Sequence, residues 1–176
     1  MHADLQARGN HGPLIAAGVL LGMGLGGFLD GILFHQVFQL HNMLSAVRPK
    51  TTVVNIEINM FWDGLFHLFT WALTALGLGM LWKVVRRADV PLSTQAFTGS
   101  LVLGWGLFNV VEGVLDHMVL HLHHVVERLG LSVYDYAYVG SGVLFILLGW
   151  TLIHGATHRT QDAEVGLPSR ERGPVG

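Results

Sequence analysis

The 176-residue chain has no cysteine, which removes disulfides, thiolate metal sites and thiol nucleophiles together and leaves His, Asp, Glu, Asn and Met as candidate ligands. Charge is also scarce. Asp, Glu, Lys and Arg make up 12% of the residues, about half the share in an ordinary soluble domain. The formal net charge is −2 and the ten basic residues are scattered, so there is no electrostatic footprint for nucleic acid. No serine sits in a recognisable nucleophile context, so hydrolase chemistry of the serine or cysteine type is not supported.

Apolar length is what the chain has in abundance. Hydrophobic residues form 51% of it and the mean hydropathy is +0.49. Four apolar runs each approach the roughly 20 residues needed to cross a bilayer. The predicted fold is all-α: an integral membrane four-helix bundle with spans near 13–40, 59–84, 96–122 and 136–157. The membrane domain is expected to cover 13–157, between a polar N-terminal tail (1–12) and a disordered polar C-terminal tail (158–176), with no soluble domain because the connections are too short to bury a core. The first run exceeds a signal-peptide h-region and ends in Asp30 and His35 rather than a small-x-small site, so it reads as retained.

The basic residues orient the spans. Placing both termini and the Lys83 to Arg87 connection in the cytoplasm puts seven basic residues inside and three outside. The unusual polar groups then fall on the periplasmic side of what is expected to be a bacterial inner membrane. Asp30, His35 and His41 close span one. Asn59, Asp63 and His67 open span two. Glu112, Asp116, His117, His121, His123 and His124 close span three, and Asp135 opens span four. Acids and imidazoles are costly in hydrocarbon, so such a concentration reads as function.

A repeat underlies this pattern. Asp30-Gly31 followed by His35 and Leu40-His41 returns as Glu112-Gly113 followed by His117 and Leu122-His123, 82 residues later. Spans one and two, then three and four, are therefore predicted to be tandem helical hairpins. Span four looks divergent: it lacks the counterparts of Asp63 and His67, keeps Asp135 nearby, and carries Trp150 where span two has Trp71. Gly18, Gly22 and Gly26 form a small-xxx-small stripe that lets another helix approach and leads to Asp30. Asn59, Asp63, His67, Thr70 and Thr74 lie within about 80° of each other on an ideal helix, one polar face to be turned inward.

His117, His121 and His124 share a helical face at i, i+4 and i+7, a chelating arrangement for a metal ion. On an ideal helix Glu112, Asp116 and His123 lie about 100° away, and His35 points away from the face of Asp30 and His41. Two layers are thus expected, a buried acidic one and a histidine one nearer water. Gln36, Gln39 and Asn42 would orient ligand imidazoles. Met43, Met60 and Met118 offer soft contacts for copper(I). His2, His11, His154 and His158 read as solvated. The plain structural alternative is a solvated helix end above an interhelical hydrogen-bond network.

The strings GFLDGILFHQ from Gly27, NMFWDGLFH from Asn59 and GLFNVVEGVLDH from Gly106, followed by LHLHHV, resemble a bacterial family of predicted four-span membrane proteins of unknown function. The resemblance covers residues 12–157 and implies the topology without an activity. The strings H-x3-H and H-x-H-H at His117 to His124 are also similar to the histidine boxes of membrane di-iron desaturases and hydroxylases, which carry more boxes and place them on the cytoplasmic side.

The resulting expectation is a membrane protein binding one or two transition-metal ions, copper or iron first and zinc next. Asp63, His67, Glu112 and His117 form the expected core, with Asp30, His35, His121 and His124 near them. Metal handling or assembly for a respiratory complex is the leading role. The alternatives are an oxidoreductase with a di-metal or haem centre, and a proton or metal-ion transporter using Asp30, Asp63 and Glu112 as relays. The expected partners are the lipid bilayer, a second copy of the chain, or the respiratory complex.

Overall fold

The computed structural model describes residues 10–165, with side chains through His158. Among the described residues there are four long helices and no strand. Helix α1 spans Gly12–Asp30, α2 Val53–Val85, α3 Thr94–Glu112 and α4 Val133–Val165. Two of them do not stop where the α-hydrogen bonding stops. α1 continues as a π-helical segment, Gly31–Val37, and α3 as another, Gly113–Val119. Counting those segments, all four helices are long and apolar enough to cross a membrane. α4 runs on to Val165, so the stretch just after 157, expected to be disordered, is helical. The rest of that tail, and most of the N-terminal one with His2, lies outside the described residues.

Local chemistry sets the helix starts. Pro13 stands in the first turn of α1, where its missing N–H is not needed. Thr52 and Ser93 cap α2 and α3 by accepting from the Asn55 and Ala96 N–H groups, each worth about 1 kcal/mol.

α1 and α3 pack on each other at the centre, and each packs against the second helix of its own hairpin, giving the spatial order α2-α1-α3-α4. Glycine makes the central contact. A Cβ on Gly22 would collide with the Leu101 carbonyl, and one on Gly104 with the Val19 carbonyl. Each of these residues is the other's equivalent 82 positions on, so the α1–α3 contact is two-fold symmetric. Close backbone approach of this kind is how membrane helices gain packing contact when lipid is as apolar as leucine.

The same contacts show how the hairpins correspond. Gly24 meets Thr70 and Thr74 of α2, while Gly106 meets Gly142 and Ile146 of α4; Gly77 meets Ala17 and Leu21, while Gly149 meets Gly99 and Leu103. α1 maps onto α3 with an offset of 82, but α2 maps onto α4 with an offset of 72, because ten fewer residues separate equivalent positions of the second hairpin, two from its shorter connection and eight from α2 starting earlier than α4. This corrects the reading of span four. Asp135 occupies the place of Asp63, the place of Trp71 is taken by Val143, and Trp150 is equivalent to Leu78.

The interior is polar and the outside apolar. The largest side chains buried almost completely include His35, His41, His117 and His123, whereas Trp62, Trp71, Trp82 and Trp150 are exposed on the outer faces. That is the inverse of a soluble domain, and it fits lipid as the surrounding solvent. His11, expected to be solvated, is buried at the opposite end of α1, while His154 and His158 are exposed on α4.

Candidate metal centre

The site forms where the two π-helical segments meet. In an α-helix a residue five positions on lies about 140° round the axis, which is why His35 was expected to face away from Asp30 and His117 away from Glu112. The π-helical i→i+5 turn restores that alignment. His35 Nε2 lies 3.5 Å from Asp30 Oδ2, and His117 Nε2 lies 3.1 Å from Glu112 Oε1. His117 therefore joins the acidic layer, and the helical-phase argument that separated it from Glu112 fails because the helix changes type at Gly31 and Gly113.

Beyond the π turns, Gln39 and His121 adopt positive φ of 50° and 48°. These equivalent left-handed residues reverse the chain and send His41 and His123 back between the helices. Their imidazoles stack, with centroids 4.5 Å apart and planes 14° from parallel. His35 stands edge-on to His41 at 4.6 Å, and His117 edge-on to His123 at 4.7 Å. The four rings have at most 2% relative exposure.

Three of the rings are held from behind by a hydrogen bond at Nδ1, and the fourth, His117, has a carboxylate close to that atom. His41 Nδ1 lies 3.0 Å from the Val125 carbonyl and His123 Nδ1 lies 3.1 Å from the Met43 carbonyl, an exchange between the two loops. A carbonyl only accepts, so both Nδ1 atoms carry the proton and donate it. His35 Nδ1 is 3.0 Å from Asp63 Oδ1, and His117 Nδ1 is 3.1 Å from Asp135 Oδ1. Those acids are fixed in turn: Asp63 accepts from the Met43 N–H and the Asn42 and Gln36 side chains, and Asp135 accepts from the Val125 N–H, the Ser132 N–H and the Ser132 hydroxyl. The result leaves Nε2 of each ring for the interior.

His123 Nε2 is 2.8 Å from Glu112 Oε1, while Nε2 of His35 and of His41, Oδ2 of Asp30 and Oε2 of Glu112 are buried without a hydrogen-bond partner. Unpartnered buried polar atoms are costly. Two groups offer ligand atoms all within 4.8 Å of one another: His35, His41 and His123, and Glu112, His117 and His123. Two nitrogens on one ion at about 2.1 Å each are at most about 4.2 Å apart, so small side-chain shifts suffice. Imidazole and carboxylate suit iron, copper, zinc or nickel, and the residues fit such an ion.

Electrostatics favour a cation as well. The ion pairs described for Asp30, Asp63, Glu112 and Asp135 all go to histidine, and the one involving Arg joins Arg87 to Asp89 elsewhere. His41, in the loop beyond the span, has its pKa held well below the ordinary histidine value by burial, with His123 and His35 adding to the effect. It remains a neutral imidazole.

Of the residues read from the sequence, Asp30, His35, Glu112 and His117 converge here. Asp63 stands behind His35. His124 lies 3.6 Å from Asp135 at the margin. His67 turns away, its Nδ1 2.7 Å from the Asp63 carbonyl one turn earlier and its ring beside Phe28 and Phe66. His121 is exposed, 5.7 Å from the His124 ring. His41, His123 and Asp135 carry more of the geometry than their place in the sequence reading gave them. The signal for the first two was the repeat itself, which pairs His41 with His123.

The chain belongs to the family described as predicted membrane protein DUF2243, whose model matches residues 17–156. Comparison with curated proteins and with solved structures gives no match.

Proposed function

We propose that this chain is a bacterial inner-membrane protein that binds one or two transition-metal ions, copper or iron first, at the periplasmic ends of α1 and α3. The observation that carries the reading is the set of four buried imidazoles, three of them hydrogen-bonded at Nδ1, with Nε2 of His35 beside Asp30 and Nε2 of His117 and His123 beside Glu112. The ligands in this proposal are His35, His41, His117, His123, Asp30 and Glu112. Asp63 and Asp135 orient His35 and His117, a carboxylate–histidine–metal relay that fixes ring and tautomer. When bound, the ion supplies Lewis acidity or redox capacity, and the chain excludes lipid and fixes ligand number.

Metal handling for a respiratory complex is the role we favour, because the histidine loops lie at the membrane surface, where an ion exchanges with the periplasm. Both termini are then cytoplasmic, in accord with the seven-to-three split of basic residues. Haem between the stacked rings is disfavoured, since 4.5 Å between His41 and His123 leaves no space for a porphyrin. Elemental analysis of detergent-purified protein tests the reading. Wild type should retain copper or iron through chelator-free purification, and His41→Ala/His123→Ala should lose it. Absence of metal from wild type, before and after reconstitution, would contradict the proposal.

A further inference from the structure

A cavity of about 200 Å³ lies beside the centre, between α1, α3 and α4, with Asp30, Asn109, Tyr138 and Ser141 among its lining residues and Leu29, Trp105 and Phe145 as apolar walls. Leu29 is 39% exposed, so the mouth reaches the lipid-facing surface. Its mate under the internal repeat also exists, about 130 Å³ in volume, beside Glu112 and lined by Met23, Phe69 and Phe108. The two cavities occupy equivalent places in the repeat. On the Asp30 side stand Asn109, Tyr138 and Ser141; their equivalents are Gly27, Phe66 and Phe69. At those three positions one cavity has hydrogen-bonding side chains and the other has none, while Asp116 adds a carboxyl on the Glu112 side where Phe34 stands on the first.

Those groups are arranged about an unfilled acceptor. Tyr138 donates its hydroxyl hydrogen to Asp30 Oδ1 at 3.2 Å, and Asp30 Oδ2 is buried without a hydrogen-bond partner. Asn109 uses one amide hydrogen on Ser141 Oγ at 3.2 Å, leaving a second N–H to give. No Lys or Arg lines the cavity, so a phosphate or carboxylate headgroup has no counter-charge there. A neutral flat ring with oxygens at its edge matches these walls and this floor, and its tail can stay in lipid.

We propose that this cavity binds the headgroup of a lipid-soluble quinone or quinol. A quinol O–H donates to Asp30 Oδ2, a ring oxygen accepts from Asn109, and the ring lies beside Trp105. The site shares Asp30 with the metal proposal, so it is tested in the metal-free chain, where that carboxylate is not engaged by an ion.

The test uses the full chain in phosphatidylcholine nanodiscs, chelator-stripped, titrated with decylubiquinone and, under anaerobic conditions, with decylubiquinol, and followed by tryptophan fluorescence. Saturable quenching, weakened at least tenfold in Asn109→Leu and in Tyr138→Phe but unchanged in Phe69→Leu on the opposite side, is expected. Non-saturable quenching, or equal affinity in all variants that keep the wild-type melting temperature, overturns the proposal. Should those variants misfold, photolabelling of wild type with an azidoquinone decides. Label on the peptides carrying Leu29, Trp105 and Phe145 supports the site, and label spread over all lipid-facing helices overturns it. Binding that survives in stripped protein while metal analysis is negative separates this inference from the metal proposal.

Discussion

The imidazoles of His41 and His123 lie face to face at the pseudo-two-fold axis, 4.5 Å apart, each donating through Nδ1 to a carbonyl of the other hairpin's loop. Two imidazolium rings would repel at that distance. With Nδ1 engaged by a carbonyl in both rings, Nε2 is the atom each has left to face an ion, and that of His123 stands 2.8 Å from Glu112 Oε1.

The orienting acids set affinity without touching the ion. Asp63→Asn and Asp135→Asn should each weaken metal binding by about 10- to 100-fold, measured by competition with a chelator of known affinity. His67→Ala, whose ring faces away from the cluster, should leave affinity unchanged.

Helix packing at the axis depends on the absence of a side chain. Gly22→Leu and Gly104→Leu would drive atoms into the Leu101 and Val19 carbonyls, at a cost of about 3 kcal/mol or more. Gly64→Leu meets open space within 4 Å and should be tolerated. Thermal melts in one detergent, scored against wild type, check the difference.

Acid should destabilise the metal-free protein through His41. Its folded pKa is depressed below the ordinary 6.5, chiefly by burial. The unfolded chain therefore takes up the proton first, and the stability present above about pH 6.5 is lost as pH falls toward the folded value. Melting temperature measured from pH 8 to pH 5 should drop below pH 6.5, and His41→Gln should flatten part of that drop.

The four spans were legible because twenty apolar residues in succession have few other uses, and the 82-residue repeat was legible in Asp30-Gly31 and Glu112-Gly113. The change of helix type was not. Ideal-helix geometry separates Asp30 from His35, and only the acid-x4-His spacing, present in both copies, hinted at an i→i+5 turn. The match of Asp135 to Asp63 was hidden because a shorter connection and a later start of α4 break the 82-residue register by ten. Likewise, left-handed Gln39 and His121 give no strong signal, yet they are what return His41 and His123 to the interior.

X-ray absorption at the metal edge of the loaded protein tests the central claim most directly. The account predicts a nitrogen and oxygen shell at about 2.0–2.1 Å with the outer-shell scattering of several imidazoles, reduced in His41→Ala/His123→Ala. A shell of oxygen alone without imidazole scattering, or a sulfur shell from methionine, would contradict it.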